Sequence, residues 1–106
     1  MKTILVRYKT HEQHAEANAA LVRAVYEELR AQAPAGIRYA TYRMPDGVSF
    51  LHLATHENDP SLLTSLPAFK AFQAGIKERC VELPVVTELS IVGSYGLLPL
   101  ASELDR

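Results

Sequence analysis

The sequence predicts a single α+β domain with the element order β-α-β-β-α-β. Three observations carry that reading. Residues 36–56, GIRYATYRMPDGVSFLHLATH, hold two alternating stretches around a Pro-Asp-Gly turn, the pattern of a β-hairpin. Helix-spaced apolar residues flank the hairpin on both sides. Further alternating stretches stand near the start of the chain and before its polar end.

Each element has its own justification. Over Thr3–Lys9, Ile4, Val6 and Tyr8 alternate with Leu5, Arg7 and Lys9, the period of two of a pleated strand. Thr10 stands where an N-cap would, and Gln13 completes a capping box. From there to about Gln32, Ala15, Ala19, Val22, Val25, Tyr26 and Leu29 form one face, with Glu16, Arg23, Glu27 and Arg30 opposite. Ala33-Pro34-Ala35-Gly36 stops the helix, because the residue before proline avoids the α region. In the hairpin, Ile37, Tyr39 and Thr41 alternate with Arg38, Ala40 and Tyr42. Met44-Pro45-Asp46-Gly47 turns the chain, and Val48, Phe50, His52 and Ala54 then alternate with Ser49, Leu51, Leu53 and Thr55. His56–Pro60 reads as a polar connection into a short helical turn at Ser61–Leu66. Pro67 restarts a helix with Ala68, Phe69, Phe72 and Ile76 on its buried face. Gly75 inside it costs about 1 kcal/mol relative to Ala, which predicts close packing against another backbone. Val85–Tyr95 alternates as a fourth strand, Leu97–Leu100 continues apolar, and Ala101–Arg106 is a polar end expected to fray.

This order is the ferredoxin-like, split βαβ motif. Right-handed crossovers place the strands antiparallel in the order 4-1-3-2, with both helices on one face. The domain spans residues 1–106, with its core at about 3–95 and a tail at 96–106. Sorted by parity, Ile4, Val6, Tyr8, Leu51, Leu53, Leu89 and Ile91 are the greasier set, predicted to lie under the helices. Leu5, Arg7, Phe50, His52, Ala54, Val86, Glu88, Ser90 and Val92 form a mixed face. A face that apolar marks an interface, so a two-fold homodimer with sheet against sheet is expected.

Composition narrows the partners. With 48% apolar residues and a net charge of −1, the chain is globular and offers no electrostatic reason to bind nucleic acid or a membrane surface. No apolar run approaches the roughly 20 residues of a membrane span, and the start MKTILVRYK reads as a strand instead of a secretory signal. The single cysteine, Cys80, excludes an intramolecular disulfide, and cytoplasm is the expected compartment.

The element order, together with the segment PSLLTSLPAFKAFQAGIKERC ahead of the last strand, resembles the antibiotic biosynthesis monooxygenase-like branch of the dimeric α/β-barrel superfamily. The resemblance covers roughly Thr3 to Tyr95 and is one of pattern. It implies back-to-back dimers that close a barrel, with a ligand cavity between sheet and helices in each subunit. Several such proteins oxidise polyphenols or quinols with O₂ and neither metal nor flavin, others degrade haem or isomerise lactones. Haem-degrading relatives use an Asn, a Trp and a His; this chain has no Trp and no Asn on its first strand, so that activity is set aside.

Candidate chemistry rests on a few side chains. His52, mid-strand, is the best titratable group near neutral pH, although a satisfied structural histidine fits the same position. Arg7 and Glu88 share parity on adjacent strands, and read either as a cavity pair for a phenolate or carboxylate or as a cross-strand ion pair. Tyr8, Tyr39 and Tyr42 could hydrogen-bond an aromatic ligand, and Phe69 and Phe72 could wall its pocket. His11 and His14 are half a metal site without a third ligand in sequence reach, and no metal or cofactor is expected. His56, beside Glu57 and Asp59, reads as a solvated loop residue, and Cys80 as a buried thiol near a helix end. No phosphate loop, nucleophile elbow or zinc-spaced cluster is present. Two functions follow. One is a cofactor-independent monooxygenase on a small aromatic, quinol- or polyphenol-like molecule, with His52 as base, Arg7 stabilising the anion, Tyr39 or Tyr42 orienting the substrate. The other is a non-catalytic small-molecule-binding or stress-associated dimer with the same cavity.

Overall fold

The computed structural model describes residues 2–57 and 61–96. Four strands, β1 (Lys2–Thr10), β2 (Ile37–Arg43), β3 (Ser49–His56) and β4 (Cys80–Leu89), form one antiparallel sheet in the order β2-β3-β1-β4. This is the 4-1-3-2 order expected of the ferredoxin-like motif, seen from the other edge. Helices α1 (Ala15–Gln32), α2 (Ser61–Thr64), α3 (Pro67–Gln73) and α4 (Ile76–Arg79) fill the connections.

The hairpin turn is fastened by one carboxylate. Asp46 Oδ1 accepts the backbone N–H groups of Val48 at 3.0 Å and Ser49 at 2.8 Å, while Oδ2 accepts Ser49 Oγ–H at 2.6 Å. Those bonds favour the charged form and hold the Asp46 carboxyl at about 2. Gly47 supplies the positive φ of 79°. Helix α1 ends at Gln32 as its sequence requires, with Ala33 in the left-handed region donating to Leu29 O at 2.7 Å.

Three local expectations are corrected. Thr10 does not cap a helix: it is the buried last residue of β1, its Oγ1 donating to Val48 O at 3.2 Å, and α1 starts at Ala15 after a single 3₁₀ turn at Glu12–His14. Gly75 is not packed against a backbone. It adopts φ 77° between α3 and α4, and a Cβ there would meet only the Arg79 and Glu78 side chains at 3.6 Å, so its role is the left-handed turn. The fourth strand begins at Cys80 and ends at Leu89, opposite Thr3 near the start of β1. Pro84 inside it is tolerated on an edge strand. The expected connection at 58–60, the apolar stretch Leu97–Leu100 and the end Ala101–Arg106 lie outside the described residues.

Register corrects the parity sorting. Tyr8 pairs with Phe50, Val6 with His52 and Ile4 with Ala54, so His52 shares a face with the first strand's apolar set. That face carries the core, where Tyr8 and Phe50 stack at 5.5 Å beneath Val22, Val25, Leu63, Leu66, Phe69 and Phe72. Leu51 and Leu53 instead lie opposite Arg7 and Leu5 on the other face. Alternation within each strand was legible, but which parity of β3 meets which parity of β1 depends on a pairing 40 or more residues apart. The second face presents Leu5, Leu51 and Leu53 half-buried, with Val85 63% exposed beside them.

Candidate functional site

Between the sheet and helices α2 and α3 lies a cavity of about 260 Å³, mostly apolar, with polar groups from the sheet and with Thr64 and Gln73 from the helices. Phe69, Phe72 and Leu63 wall it from the helices, and Tyr8, Tyr39, His52 and His56 line it from the strands. Helix spacing puts Phe69 and Phe72 on one side of α3, and strand pairing puts Tyr8, His52 and Tyr39 on neighbouring rungs of one sheet face.

His52 is the hub. It is 4% exposed, with Nε2 2.8 Å from Tyr8 Oη and Nδ1 2.6 Å from Tyr39 Oη and 3.2 Å from Thr41 Oγ1. Tyr8 Oη also accepts from Asn18 Nδ2 at 2.8 Å, and Asn18 Oδ1 accepts from Arg79 Nε at 3.0 Å. Arg79 Nη1 donates to Ala74 O at 3.1 Å and Nη2 to Phe72 O at 2.6 Å, with the guanidinium over the Phe72 ring. On the other flank Tyr26 Oη meets Thr41 Oγ1 at 2.7 Å, and its ring stacks on Tyr39 at 5.2 Å. A continuous polar chain thus runs from a buried cation to the cavity wall.

Burial tunes these groups toward neutrality. Desolvation pushes His52 down to about 4, so the imidazole is neutral at pH 7. It raises the Tyr8 and Tyr39 phenols well above their ordinary value and takes Tyr26 to about 12. His56 is pushed down by burial and by the Lys2 charge, and Cys80 is pushed up by burial. His56 is 4% exposed and its Nδ1 has no hydrogen-bond partner among the described residues. Among these residues no group of three or more His, Cys, Asp or Glu side chains is placed to hold a metal ion.

Five of the side chains singled out in the sequence, Tyr8, Tyr39, His52, Phe69 and Phe72, are brought together here. Arg7 is not among them: it pairs with Leu51 and Val85 on the opposite face of the sheet. Tyr42 pairs with Leu51 and shares that face, half-exposed. Glu88 sits opposite Ile4, on the other face from Arg7, so the two form no cross-strand pair. The parity counted along β4 fails for the same reason as that along β3: alternation is intact over Val85–Leu89, but only the pairing with β1 decides which set lies beside Ile4 and Val6. Asn18, Arg79, Thr41, Tyr26 and the buried state of His56 were missed. Two of them left a signal. Asn18 interrupts the apolar stripe of α1 between Ala15 and Val22, and Arg79 continues the 69-72-76 stripe. A polar residue on a buried stripe needs partners, and each of these is the other's.

No protein-family model matches the chain, and no curated protein matches it. Solved structures do. A protein named an antibiotic biosynthesis monooxygenase of Bacteroides thetaiotaomicron superposes with a TM-score of 0.76 at 13% identity, covering 92% of this chain and 94% of that one. Rv0793 from Mycobacterium tuberculosis gives 0.70 at 21% identity, covering 88% and 96%. SnoaB of Streptomyces nogalater, described as a cofactor-independent oxygenase, gives 0.64 at 12%, covering 90% and 96%. These likenesses establish the fold, which is the one that antibiotic biosynthesis monooxygenases share.

Proposed function

We propose that this chain is a cofactor-independent oxygenase of the antibiotic biosynthesis monooxygenase type, acting on a small quinol- or polyphenol-like molecule held in the cavity. The observation that carries the reading is the Tyr39 phenol, hydrogen-bonded to neutral His52 at the wall of a mostly apolar pocket. The fold it shares with SnoaB supports the same class.

The chemistry asks little of the protein. A hydroquinone that takes up O₂ gives a hydroxyquinone and water. One oxygen atom replaces a ring hydrogen, the other leaves as water, and all four electrons come from the substrate. Phe69 and Phe72 hold the ring and exclude water, which strengthens every polar contact made inside. With Arg7 on the far face, stabilisation of the substrate oxygen falls to Tyr39. His52 acts on the substrate through that phenol, as both its ring nitrogens are already engaged.

A second reading, a binding protein without turnover, is favoured by one fact: an imidazole pushed down to about 4 is a weak base. Oxygen uptake with a panel of hydroquinones, run beside thermal stabilisation by the same compounds, separates the two. Consumption of O₂ lost in Tyr39→Phe supports the oxygenase; stabilisation with no uptake supports the binding protein.

The sheet face bearing Leu5, Leu51, Leu53 and Val85 supports a homodimer, for which about 800 Å² per partner is the typical buried area. Light scattering that gave a stable monomer at micromolar concentration would sink this. No described helix is long and apolar enough to cross a membrane, and a cytoplasmic location accords with the single free thiol.

A further inference from the structure

The chain of polar groups from Arg79 to Tyr39 has a direction, and that direction follows from the donors and acceptors each group owns. An arginine only donates, so the Asn18 oxygen must face Arg79 Nε, 3.0 Å away. The Asn18 amide nitrogen, a donor only, then faces Tyr8 Oη at 2.8 Å. Tyr8 has one proton. With the amide already donating to its oxygen, that proton is satisfied by His52 Nε2 at 2.8 Å, in a residue 2% exposed that offers it little else. A neutral imidazole that accepts at Nε2 carries its hydrogen on Nδ1. Nδ1–H therefore donates to Tyr39 Oη at 2.6 Å, with Thr41 Oγ1 at 3.2 Å as a second acceptor. The Tyr39 hydroxyl hydrogen is then not taken by His52; on a side chain that lines the cavity, it is shared between the neighbouring Thr41 hydroxyl and any acceptor that enters. The reverse direction would instead strand the Tyr8 hydrogen in the buried core, where a donor without an acceptor carries its full desolvation cost.

We infer that Arg79 and Asn18 are positioning residues that fix His52 as its Nδ1–H tautomer and so make the cavity a hydrogen-bond donor site, selective for ligands that present a carbonyl or phenolate oxygen to Tyr39. This rests on the cavity being the ligand site, but the tautomer itself does not. The group that meets the ligand is set by Asn18 and Arg79, two and three hydrogen bonds behind the imidazole.

Asn18→Asp tests the logic with almost no change of shape. A carboxylate accepts on both oxygens, so it still takes Arg79 Nε–H but now accepts the Tyr8 hydrogen as well. Every bond beyond it reverses: His52 donates from Nε2 to Tyr8, Nδ1 accepts from Tyr39, and the cavity loses its donor. Nitrogen-15 NMR of ring-labelled histidine reads this directly, with no ligand present. Wild type should show His52 protonated on Nδ1, and Asn18→Asp should show it protonated on Nε2. In titrations, affinity for 1,4-naphthoquinone, which only accepts, should fall about tenfold in Asn18→Asp relative to wild type. If Asn18→Asp does not fold, Tyr8→Phe serves, since removing the phenol between amide and imidazole should abolish the Nδ1–H preference. An Nε2–H tautomer in wild type, or an unchanged tautomer in the folded variant, overturns the inference. The predicted tautomers with no naphthoquinone binding to either protein would uphold the polarity and overturn the ligand selectivity, together with the placing of the site. Oxygen uptake plays no part in the test, so failure of the oxygenase reading leaves it standing.

Discussion

Acidification should destabilise this protein through buried histidine, and His52 gives the larger, separable part. His52 titrates near 6.5 when unfolded and at about 4 in the native state, because burial disfavours its charged form. A depressed native value means that the unfolded chain binds the extra proton first. The stability that depends on neutral His52 is complete above pH 6.5, declines as pH falls toward 4, and is gone below it. At 1.36 kcal/mol per pKa unit the full loss is about 3 kcal/mol, of which about 2 kcal/mol should already be missing at pH 4.5. Against a typical total of 5–15 kcal/mol this is readily measured. Urea unfolding followed by circular dichroism at pH 7 and pH 4.5, for wild type and His52→Gln, isolates the contribution, since glutamine keeps a polar amide but does not titrate. His56 is also held below its ordinary value and contributes in the same window, but equally in both proteins. Asp46, lowered to about 2 from 3.8, acts only at more acid pH. Wild type should lose about 2 kcal/mol more than the variant between the two pH values. Parallel pH profiles, or a native His52 that titrates near 6.5 by NMR, would refute the argument from burial.

Other outcomes follow from the same geometry. His56→Leu removes an unpartnered buried nitrogen and should raise stability by about 1 kcal/mol, read as a higher melting temperature. Arg79→Met leaves Asn18 Oδ1, Phe72 O and Ala74 O without their donor and should cost about 3 kcal/mol in urea unfolding. Gly75→Ala forces an L side chain to φ 77° and should cost about 1–2 kcal/mol by the same measurement.

The fold was legible because it rests on short-range signals: the alternation around Pro45-Asp46-Gly47, the stripe from Ala15 to Leu29 and the two aromatic positions of α3 each declare themselves within a dozen residues. Register was not. Whether Phe50 and His52 or Leu51 and Leu53 meet Tyr8 depends on hydrogen bonds between β1 and β3, and both parities of β3 are apolar enough to serve. The site inherited that ambiguity. Tyr39, named as a hydrogen-bonding phenol, and His52, named as a group that titrates near neutral pH, both line the cavity, although burial takes His52 down to about 4, whereas Arg7 was placed with His52 only by a wrong parity. Asn18 and Arg79 were passed over because each was counted as one polar residue among many, although each stands on a stripe whose other members are apolar.

The left-handed turn at Gly75 ties distant parts of the chain to a common history. It directs the four residues that follow so that Arg79 folds back onto the carbonyls of Phe72 and Ala74 while reaching Asn18. A backbone position that touches no ligand thereby shares its fate with the imidazole at the cavity wall. Along a drifting lineage, a side chain acquired at position 75 would strain the left-handed turn that aims the guanidinium, and with it the constraint on position 18. A replacement of Asn18 tolerated beside one arrangement of Arg79 would be penalised beside another. Gly75→Ala and Asn18→Asp, separated by more than fifty residues, should therefore be epistatic, their effects on stability failing to add.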